Sequence, residues 1–312
     1  MAVYHLRVGR IKRSDGQSVV GSAAWRAREN LYDERLGKKH KYAHFKDLAD
    51  SMIMIPEHAP ERLKDRETLW NEVEKVEKRK DAQLARLIEI ALPVELNMRQ
   101  RIELVREFAQ TSFVERGMIT DIGVVDKEAN PHATILLTMR TVTNEGFGNK
   151  NRLWGERSFI YTWRKEWADI QNRKLEEAGL DVRVDHRSHA DRGIDLEPQI
   201  KVGYGAKYLA KDGAFLKNSR GLERLDEYQR IKRENGERVI QSPEKALSYL
   251  KERNSGVFSI KDLQKFARYH SADASQYQEV LQALQGCPDL IPMGTGKKDE
   301  NLFSIRTTED YG

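Results

Sequence analysis

The sequence predicts a mixed α/β protein of the α+β kind, in which helices pack on a mostly antiparallel sheet and a small winged-helix-like domain follows. Segments with strand and helix periodicity alternate over roughly the first 180 residues, and one pair of neighbouring strands has the pattern of a hairpin. Residues 239–312 instead show three short helices and then a hairpin, which is the outline of a winged helix.

The chain opens with a predicted strand and a predicted helix. Residues alternate between apolar and polar in "AVYHLRVGRI", as in a half-buried strand. Ser18–Glu34 is predicted to form one helix, because apolar residues recur there at helical spacing: Val20, Ala24, Ala27 and Leu31. Trp25 and Tyr32 then fall on a face of that helix that points away from the core.

The alternation of strands and helices continues to about Ala178. Asn97 is predicted to cap a helix that runs to about Arg116. "NPHATILLTMR", residues 130–140, begins with an Asn-Pro turn and predicts a strand that pairs with the preceding one. The other predicted elements are strands in "SMIMIP", "ARLIEIALP" and "GMITDIGVV" and helices over Asp65–Asp81 and from about Arg157 to Ala178.

The composition limits the class of protein. A chain of 312 residues can bury one large core and still form a second small domain. It contains no apolar run of about 18 residues and no signal-peptide pattern, so we expect a cytoplasmic protein that does not contact a membrane. The single cysteine, Cys287, excludes an internal disulfide and a cysteine-based zinc site.

Positive charge is concentrated near the N-terminus. The whole chain has a formal net charge of +5. Residues 1–44 alone contain ten Lys and Arg against four acids, which suits contacts to nucleic-acid phosphates but also suits a solvated surface. From about Asp181 to Glu237 periodicity fades, so we predict three segments: a domain over residues 1–203, a charged helical linker over 204–238 and the winged-helix-like domain over 239–312.

The sequence resembles one family over about residues 1–203. Motifs such as "RSDGQSVVGSAA", "IEIALPVEL", "NPHA", "GFGNKNR", "DHRS" and "GIDLEPQIKVG" are similar to those of the MobA/MobL relaxases of plasmid conjugation, particularly the TraA type. The resemblance implies an HUH-relaxase-like fold. It also implies that a tyrosine attacks a DNA phosphodiester at the transfer origin while three histidines hold a divalent metal, Mg or Mn. The C-terminal segment resembles the start of the TraA helicase part.

The residues at the family's catalytic positions differ from the family pattern. Trp25 stands where the resemblance places the nucleophilic tyrosine, and an indole cannot attack phosphorus. Leu87 replaces the first acid of a glutamate pair of which Glu89 remains. Tyr32 is the alternative nucleophile, although helical spacing places it about 10 Å from Trp25.

The metal-binding positions have changed as well. The three histidines of the family correspond to Val125, His132 and Thr134, so one imidazole of three remains. A mixed site formed by His132 with His5, Glu89 or Asp126 is the alternative. We therefore expect no metal cofactor, with Mg or Mn only if the relaxase site functions.

Three functional hypotheses follow from this resemblance and its departures. The first is a catalytically inactive relaxase-fold protein that binds single-stranded or hairpin DNA near a transfer origin; the others are an active relaxase, and a scaffold or regulator of an active relaxase or other conjugation proteins. Trp25 is predicted either to stack a nucleobase or to fill the emptied metal cavity against Leu87 and Val125. The predicted DNA-binding residues are Arg7, Arg10, Lys12, Arg13, Trp25, Arg26, Arg28, Lys150, Arg152 and Trp154.

Overall fold

A computed structural model describes residues 4–127, 130–200, 202, 219–254, 256–296 and 300–306. The chain divides into two compact units, residues 1–186 and 187–312. The predicted boundary between residues 203 and 204 lies outside the described residues. Within those residues, no helix is both long enough and apolar enough to span a bilayer.

The first unit is built on a five-stranded antiparallel sheet with the order β1-β5-β7-β6-β4. Its strands are β1 Leu6–Lys12, β4 Asp50–Met54, β5 Gln83–Ala91, β6 Thr120–Val125 and β7 His132–Leu137. The predicted hairpin between the last two strands is confirmed, because β6 and β7 pair antiparallel and Val125 lies opposite His132. In this order β1 and β4 are the edges of the sheet.

Helices cover both faces of this sheet. On one face, α3 (Met98–Ser112) and α4 (Arg157–Glu177) bury Phe108, Trp163 and Trp167 against strand residues such as Ile88 and Ile135. The other face is covered by α1 (Val19–Ala27) and α2 (Arg66–Val76), which pack on neighbouring strand residues such as Ala85 and Leu136. Because successive strand residues point to opposite faces, each strand contributes to both cores. The predicted mixed α/β fold is confirmed.

The N-terminal caps explain where two of the helices begin. Asn97 forms the predicted cap of α3: its side chain accepts a hydrogen bond from Gln100 N, and the Gln100 side chain accepts one from Asn97 N. Asp65 caps α2 by accepting from Thr68 N, so this helix begins one residue after the cap. Each helix starts within a residue or two of the predicted position.

The predicted single helix over Ser18–Glu34 is wrong. Helix α1 ends at Ala27, because Arg28 adopts a left-handed conformation with φ 56° that closes the last turn. The chain then forms a hairpin of β2 (Asn30–Asp33) and β3 (Lys38–Lys41). Leu31 is buried as the helical stripe predicted, but it is buried by strand alternation. Tyr32 consequently lies on a strand.

A second small ribbon joins the sheet to α4. Its strands are β8 (Arg140–Val142) and β9 (Phe147–Lys150). Arg140 Nε and Lys150 Nζ lie 2.9 and 3.2 Å from the same Glu77 Oε1, so one nearly buried carboxylate holds both strands of the ribbon.

The second unit contains the predicted succession of three helices and a hairpin. The long helix α5 (Ser219–Gln241) precedes them and buries Ile231 and Val239, so it packs within this unit. The three helices are α6 Pro243–Arg253, α7 Ile260–Tyr269 and α8 Ala274–Gln285. They are followed by β11 (Leu290–Thr295) and β12 (Asn301–Ile305), and β12 also pairs with the short β10 (Phe258–Ser259).

Candidate functional site

The site lies on the α1 face of the sheet, across its three inner strands. Glu89 of β5, Thr134 of β7 and Gly123 of β6 are direct cross-strand partners in one row. In the next row, Ala91 lies opposite His132, and His132 lies opposite Val125. Directly opposed residues share a face, so the structure brings the predicted positions on these strands together.

The last turn of helix α1, which contains Trp25, lies against this row through a close backbone approach. A Cβ atom added to Gly123 would lie 2.5 Å from the carbonyl oxygen of Arg26, so only glycine lets the last turn of α1 lie this close. The start of the helix is fixed by Ser18, whose hydroxyl accepts from Gly21 N at 3.0 Å and donates to buried Asp33 at 2.5 Å. Both ends of α1 are thus held in place.

Trp25 belongs to an exposed aromatic cluster. Its ring lies 5.2 Å from both Tyr42 and Phe45 in edge-to-face geometry, and we call these three residues the aromatic platform. Trp25 is 42% exposed and Phe45 39%. The prediction that Trp25 is buried against Leu87 and Val125 is therefore wrong.

Arg28 supports the platform from its edge. The guanidinium lies 4.3 Å from the Trp25 ring centroid, within the range of a cation–π contact. Its Nε and Nη2 donate to the two carboxylate oxygens of Asp47 at 2.7 and 3.2 Å. These hydrogen bonds hold the pKa of Asp47 well below its ordinary value. The charge of Arg28 is therefore already paired, and its flat face is fixed beside the indole.

The three positions that the resemblance assigns to metal ligands offer few ligand atoms. His132 is half-exposed, and its Nδ1–H donates a hydrogen bond to the Asn130 carbonyl at 2.8 Å. Nε2 is then the one nitrogen of this ring that could bind a metal. Val125 has no donor atom and Thr134 has only a neutral hydroxyl. In the part of the chain that the structure describes, no three His, Cys, Asp or Glu residues are grouped as metal ligands would be. The residues present do not fit a histidine-bound divalent cation.

One acid of the alternative mixed metal site, Asp126, forms an ion pair with Arg101. Asp126 accepts a hydrogen bond from Arg101, whose guanidinium also donates to Pro93 O and Val94 O. Asp126 is thereby held at the end of β6 by α3.

Glu89, which the resemblance assigns to a glutamate pair, has arginines on either side. Its Oε2 lies 3.3 Å from Arg7 Nη1, and Arg7 is 72% exposed. Burial lowers the pKa of the Arg26 guanidinium, and the nearby Glu89 and Asp121 carboxylates oppose that shift. Leu87, two residues before Glu89, packs with the core beneath α1. Glu89 is therefore one carboxylate near two guanidinium groups.

The other predicted phosphate contacts are dispersed. Arg10 lies on the opposite face of the sheet. It pairs with Arg86, which shares a face with Ile88, two residues further along β5, and Ile88 packs in the core under α3 and α4. Arg13 donates hydrogen bonds to Glu74 Oε2 at 2.6 Å and to the Glu77 carbonyl at 2.5 Å, so its guanidinium is bound to other groups of the protein. Lys150 is bound to Glu77 and Gln83. Lys12 is half-exposed and Arg152 exposed.

The remaining aromatic candidates have different surroundings. Trp154 is 4% exposed and packs in the core beneath α4, so the predicted stacking role does not fit it. Tyr32 is 44% exposed on β2, and its backbone N–H donates to Glu67. Sequence reasoning missed Tyr42, Phe45 and Asp47, although the basic and aromatic stretch "KKHKYAHFKD" was a signal for them.

Comparisons with known proteins agree with this architecture. A family model described as MobA/MobL matches residues 17–212. The chain is 33% identical to a probable conjugal transfer protein TraA of Sinorhizobium fredii, with 93% of this chain and 29% of that protein covered. It is 30% identical to the conjugal transfer protein TraA of Agrobacterium fabrum, with 98% and 31% covered. The chain thus spans less than a third of the length of these relatives.

A solved structure also matches part of the chain. It describes the molecular basis of vancomycin resistance transfer in Staphylococcus aureus, and it is 34% identical with a TM-score of 0.57. The match covers 60% of this chain and 100% of that one. Since the family model also matches more than half of the sequence, the chain belongs to the MobA/MobL family of relaxases and is of the TraA type.

Proposed function

We propose that this protein binds single-stranded or hairpin DNA of a transfer origin and does not cut it. The observation that supports this most directly is the exposure of Trp25, which the resemblance assigns to the nucleophile position, in the aromatic platform beside Arg28. A nucleobase can stack on an exposed aromatic ring whatever its sequence, and each such contact is worth about 1–3 kcal/mol.

The absence of cutting follows from the chemistry of the substituted positions. Strand cleavage by this family's chemistry needs a phenol oxygen that forms a bond to phosphorus, and Trp25 has only an N–H donor. It also needs a cation to polarise the phosphate, and Val125 and Thr134 cannot replace two imidazoles. These changes affect both the attack on phosphorus and the polarisation of the phosphate.

Elsewhere in the site row, phosphate contacts depend on exposed arginines. Arg28 is neutralised by Asp47, so its role is to support the indole. Arg7 is highly exposed next to Glu89 and is the residue of the site row best placed to meet a DNA backbone. Arg26 is largely enclosed, and its Nη1 donates to Ser22 O. In the proposed path of the DNA strand, bases stack on the platform and phosphates contact Arg7.

Fluorescence anisotropy with labelled single-stranded and hairpin oligonucleotides tests the binding. Trp25→Ala should weaken binding about tenfold, in line with the loss of one stacked base, and Trp25→Phe should lose less. Tyr161→Ala is a matched control, since Tyr161 is an aromatic residue that is 66% exposed on α4. Equal losses in both alanine variants would contradict a platform-specific contact.

A second assay tests the absence of cutting. A supercoiled plasmid with the cognate origin, incubated with Mg²⁺ or Mn²⁺, should remain supercoiled. Relaxed circles with protein attached to a 5′ end would favour the active-relaxase hypothesis, and loss of that product in Tyr32→Phe would identify Tyr32 as the nucleophile. No DNA binding, or binding that does not weaken with salt, would favour a scaffold that pairs with an active relaxase or other conjugation proteins.

A further inference from the structure

Two arginines face each other across the edge of the sheet. Arg10 of β1 lies directly opposite Arg86 of β5. Both point to the face covered by α4, where the Arg86 guanidinium lies 5.9 Å from the ring centroid of Trp163. Arg86 is only 5% exposed, whereas Arg10 is exposed.

No acidic group compensates this pair among the described residues. Arg86 Nε is enclosed and has no hydrogen-bond partner there. Burial lowers the pKa of Arg86, and the positive charge of Arg10 lowers it further; no carboxylate opposes the shift. Arg86 differs in this respect from Arg66, an equally buried arginine that is bound to Asp121 and Glu29.

An anion would compensate the charge of an arginine in this position. A guanidinium stays protonated in a protein, so burial cannot be relieved by loss of the proton. Like charges directly opposite on neighbouring strands are destabilising, and an uncompensated buried charge is among the most costly features of a fold. An oxyanion between the two guanidinium groups would remove both problems, and phosphate oxygens match the forked donors of arginine.

The site is reachable from the surface. A Cβ atom added to Gly155 would lie 3.6 Å from Arg86 Nη2, and Gly155 itself is exposed. The Nη2 end of the Arg86 side chain therefore lies beside the exposed turn that contains Gly155. Arg152, at the start of the same turn, is also exposed.

We propose that Arg10 and Arg86 form a phosphate-binding site on the α4 face of the sheet. The site is distinct from the aromatic platform, which lies on the α1 face. Because β1 is an edge strand, a nucleic-acid strand can pass around it, from Arg7 on one face to Arg10 on the other. As a DNA contact the site rests on the proposed function; as a site for free phosphate it does not.

The first experiment measures thermal unfolding of the full chain with and without inorganic phosphate, at constant ionic strength set with chloride. The wild type should gain stability with phosphate, and Arg86→Met and Arg10→Gln should lose that gain. Without phosphate, Arg86→Met should be at least as stable as the wild type, since it removes an unpaired buried charge. Arg99→Gln is the control, because Arg99 is exposed on α3 and already paired with Glu103 at 3.1 Å.

The proposal is overturned if Arg10→Gln and Arg86→Met keep the full phosphate response, or if the wild type shows none. The second experiment identifies the source of the phosphate from the salt dependence of oligonucleotide binding. With DNA as the ligand, Arg10→Gln should reduce the slope of log K against log salt by about 0.7, the value for one phosphate on a single strand. An unchanged slope with a lost phosphate response assigns the site to free phosphate. Failure of Trp25→Ala to weaken DNA binding would reject the platform and leave the phosphate result standing.

Discussion

The carbonyl oxygen of Arg26 lies against the Cα of Gly123, where a Cβ atom would be only 2.5 Å away. This contact places the last turn of α1 on the row that contains Glu89 and Thr134. The distance from α1 to the sheet, and hence the position of Trp25, depends on a residue that has no side chain.

Gly123→Ala should therefore push α1 off the sheet and reduce the free energy of unfolding by about 1–3 kcal/mol, the usual cost of overpacking. Gly9→Ala is the matched control on the same face, because its Cβ would lie 3.6 Å from Leu87 Cβ, an ordinary contact. Urea unfolding followed by tryptophan fluorescence measures both. Equal stability of the two variants would show that α1 shifts without cost.

Truncation of Trp154 should mainly reduce stability, whereas truncation of Trp25 should mainly reduce DNA binding. Trp154 is 4% exposed in the core, so Trp154→Ala should lower the free energy of unfolding by about 3–5 kcal/mol. Trp25→Ala should cost about 1 kcal/mol or less, since it removes an exposed ring and its contact with Arg28, yet it should weaken DNA binding. Denaturation and anisotropy on the same samples separate the two effects. A large stability loss in Trp25→Ala would mean that the platform is structural.

The sequence predicted the sheet and most helices because their periodicity is local. The strand "NPHATILLTMR" alternates between two cores, and its pattern alone identified the face shared by His132 and Thr134. The error at Ser18–Glu34 arose because Leu31 fits the inward position of a helix and of a strand equally well. Arg28 ends the helix. Its backbone is left-handed, and its side chain donates a hydrogen bond to Asp47, 19 residues away.

The site was predicted less completely, because much of it depends on contacts between distant segments. The resemblance gave Trp25, Leu87, Val125 and Thr134, but nothing local shows that Phe45 returns to Trp25 or that Arg13 turns inward to Glu74. Charge counts treated Arg7 and Arg10 as equivalent. Strand alternation places them on opposite faces, and only the packing of the helices shows which face holds the aromatic platform.

The second unit should become less stable as the pH falls. Burial lowers the pKa of His270 to about 3, and the charges of His189, Lys232 and Arg253 act in the same direction. The unfolded chain takes up this proton near pH 6.5, so the stabilising effect is complete above that pH and is lost as the pH falls towards about 3, by at most about 1.4 kcal/mol per pH unit.

Amide hydrogen exchange in α7 and α8 measures this loss, because all five tryptophans lie in the first unit and fluorescence would not report on the second. His270→Gln should show a shallower dependence on pH than the wild type. His44→Gln, at an exposed histidine, should follow the wild type. Identical pH dependence in all three would exclude His270 as the cause.

Introducing the residues that the resemblance assigns to these positions should give metal binding and cleavage, because the strand register places the three proposed ligand positions together. Val125 lies directly opposite His132, and Thr134 is two residues along the same face of β7. Directly opposed Cα atoms are about 4.5–5.5 Å apart, so Val125→His and Thr134→His would place three imidazoles on one patch of two neighbouring strands. Leu87→Glu would add a carboxylate on that face, and Trp25→Tyr would supply a phenol at the end of α1.

The quadruple variant should bind Mn²⁺ in calorimetry and nick a supercoiled plasmid that carries the cognate origin. The pair Trp25→Tyr and Leu87→Glu, without the histidines, should do neither. The pair Val125→His and Thr134→His should bind the metal and leave the plasmid intact, since it supplies the ligands without the nucleophile. If the quadruple variant folds and still takes up no metal, the residue types at positions 125 and 134 alone do not decide metal binding, and the strands do not hold these positions in a geometry that binds a cation.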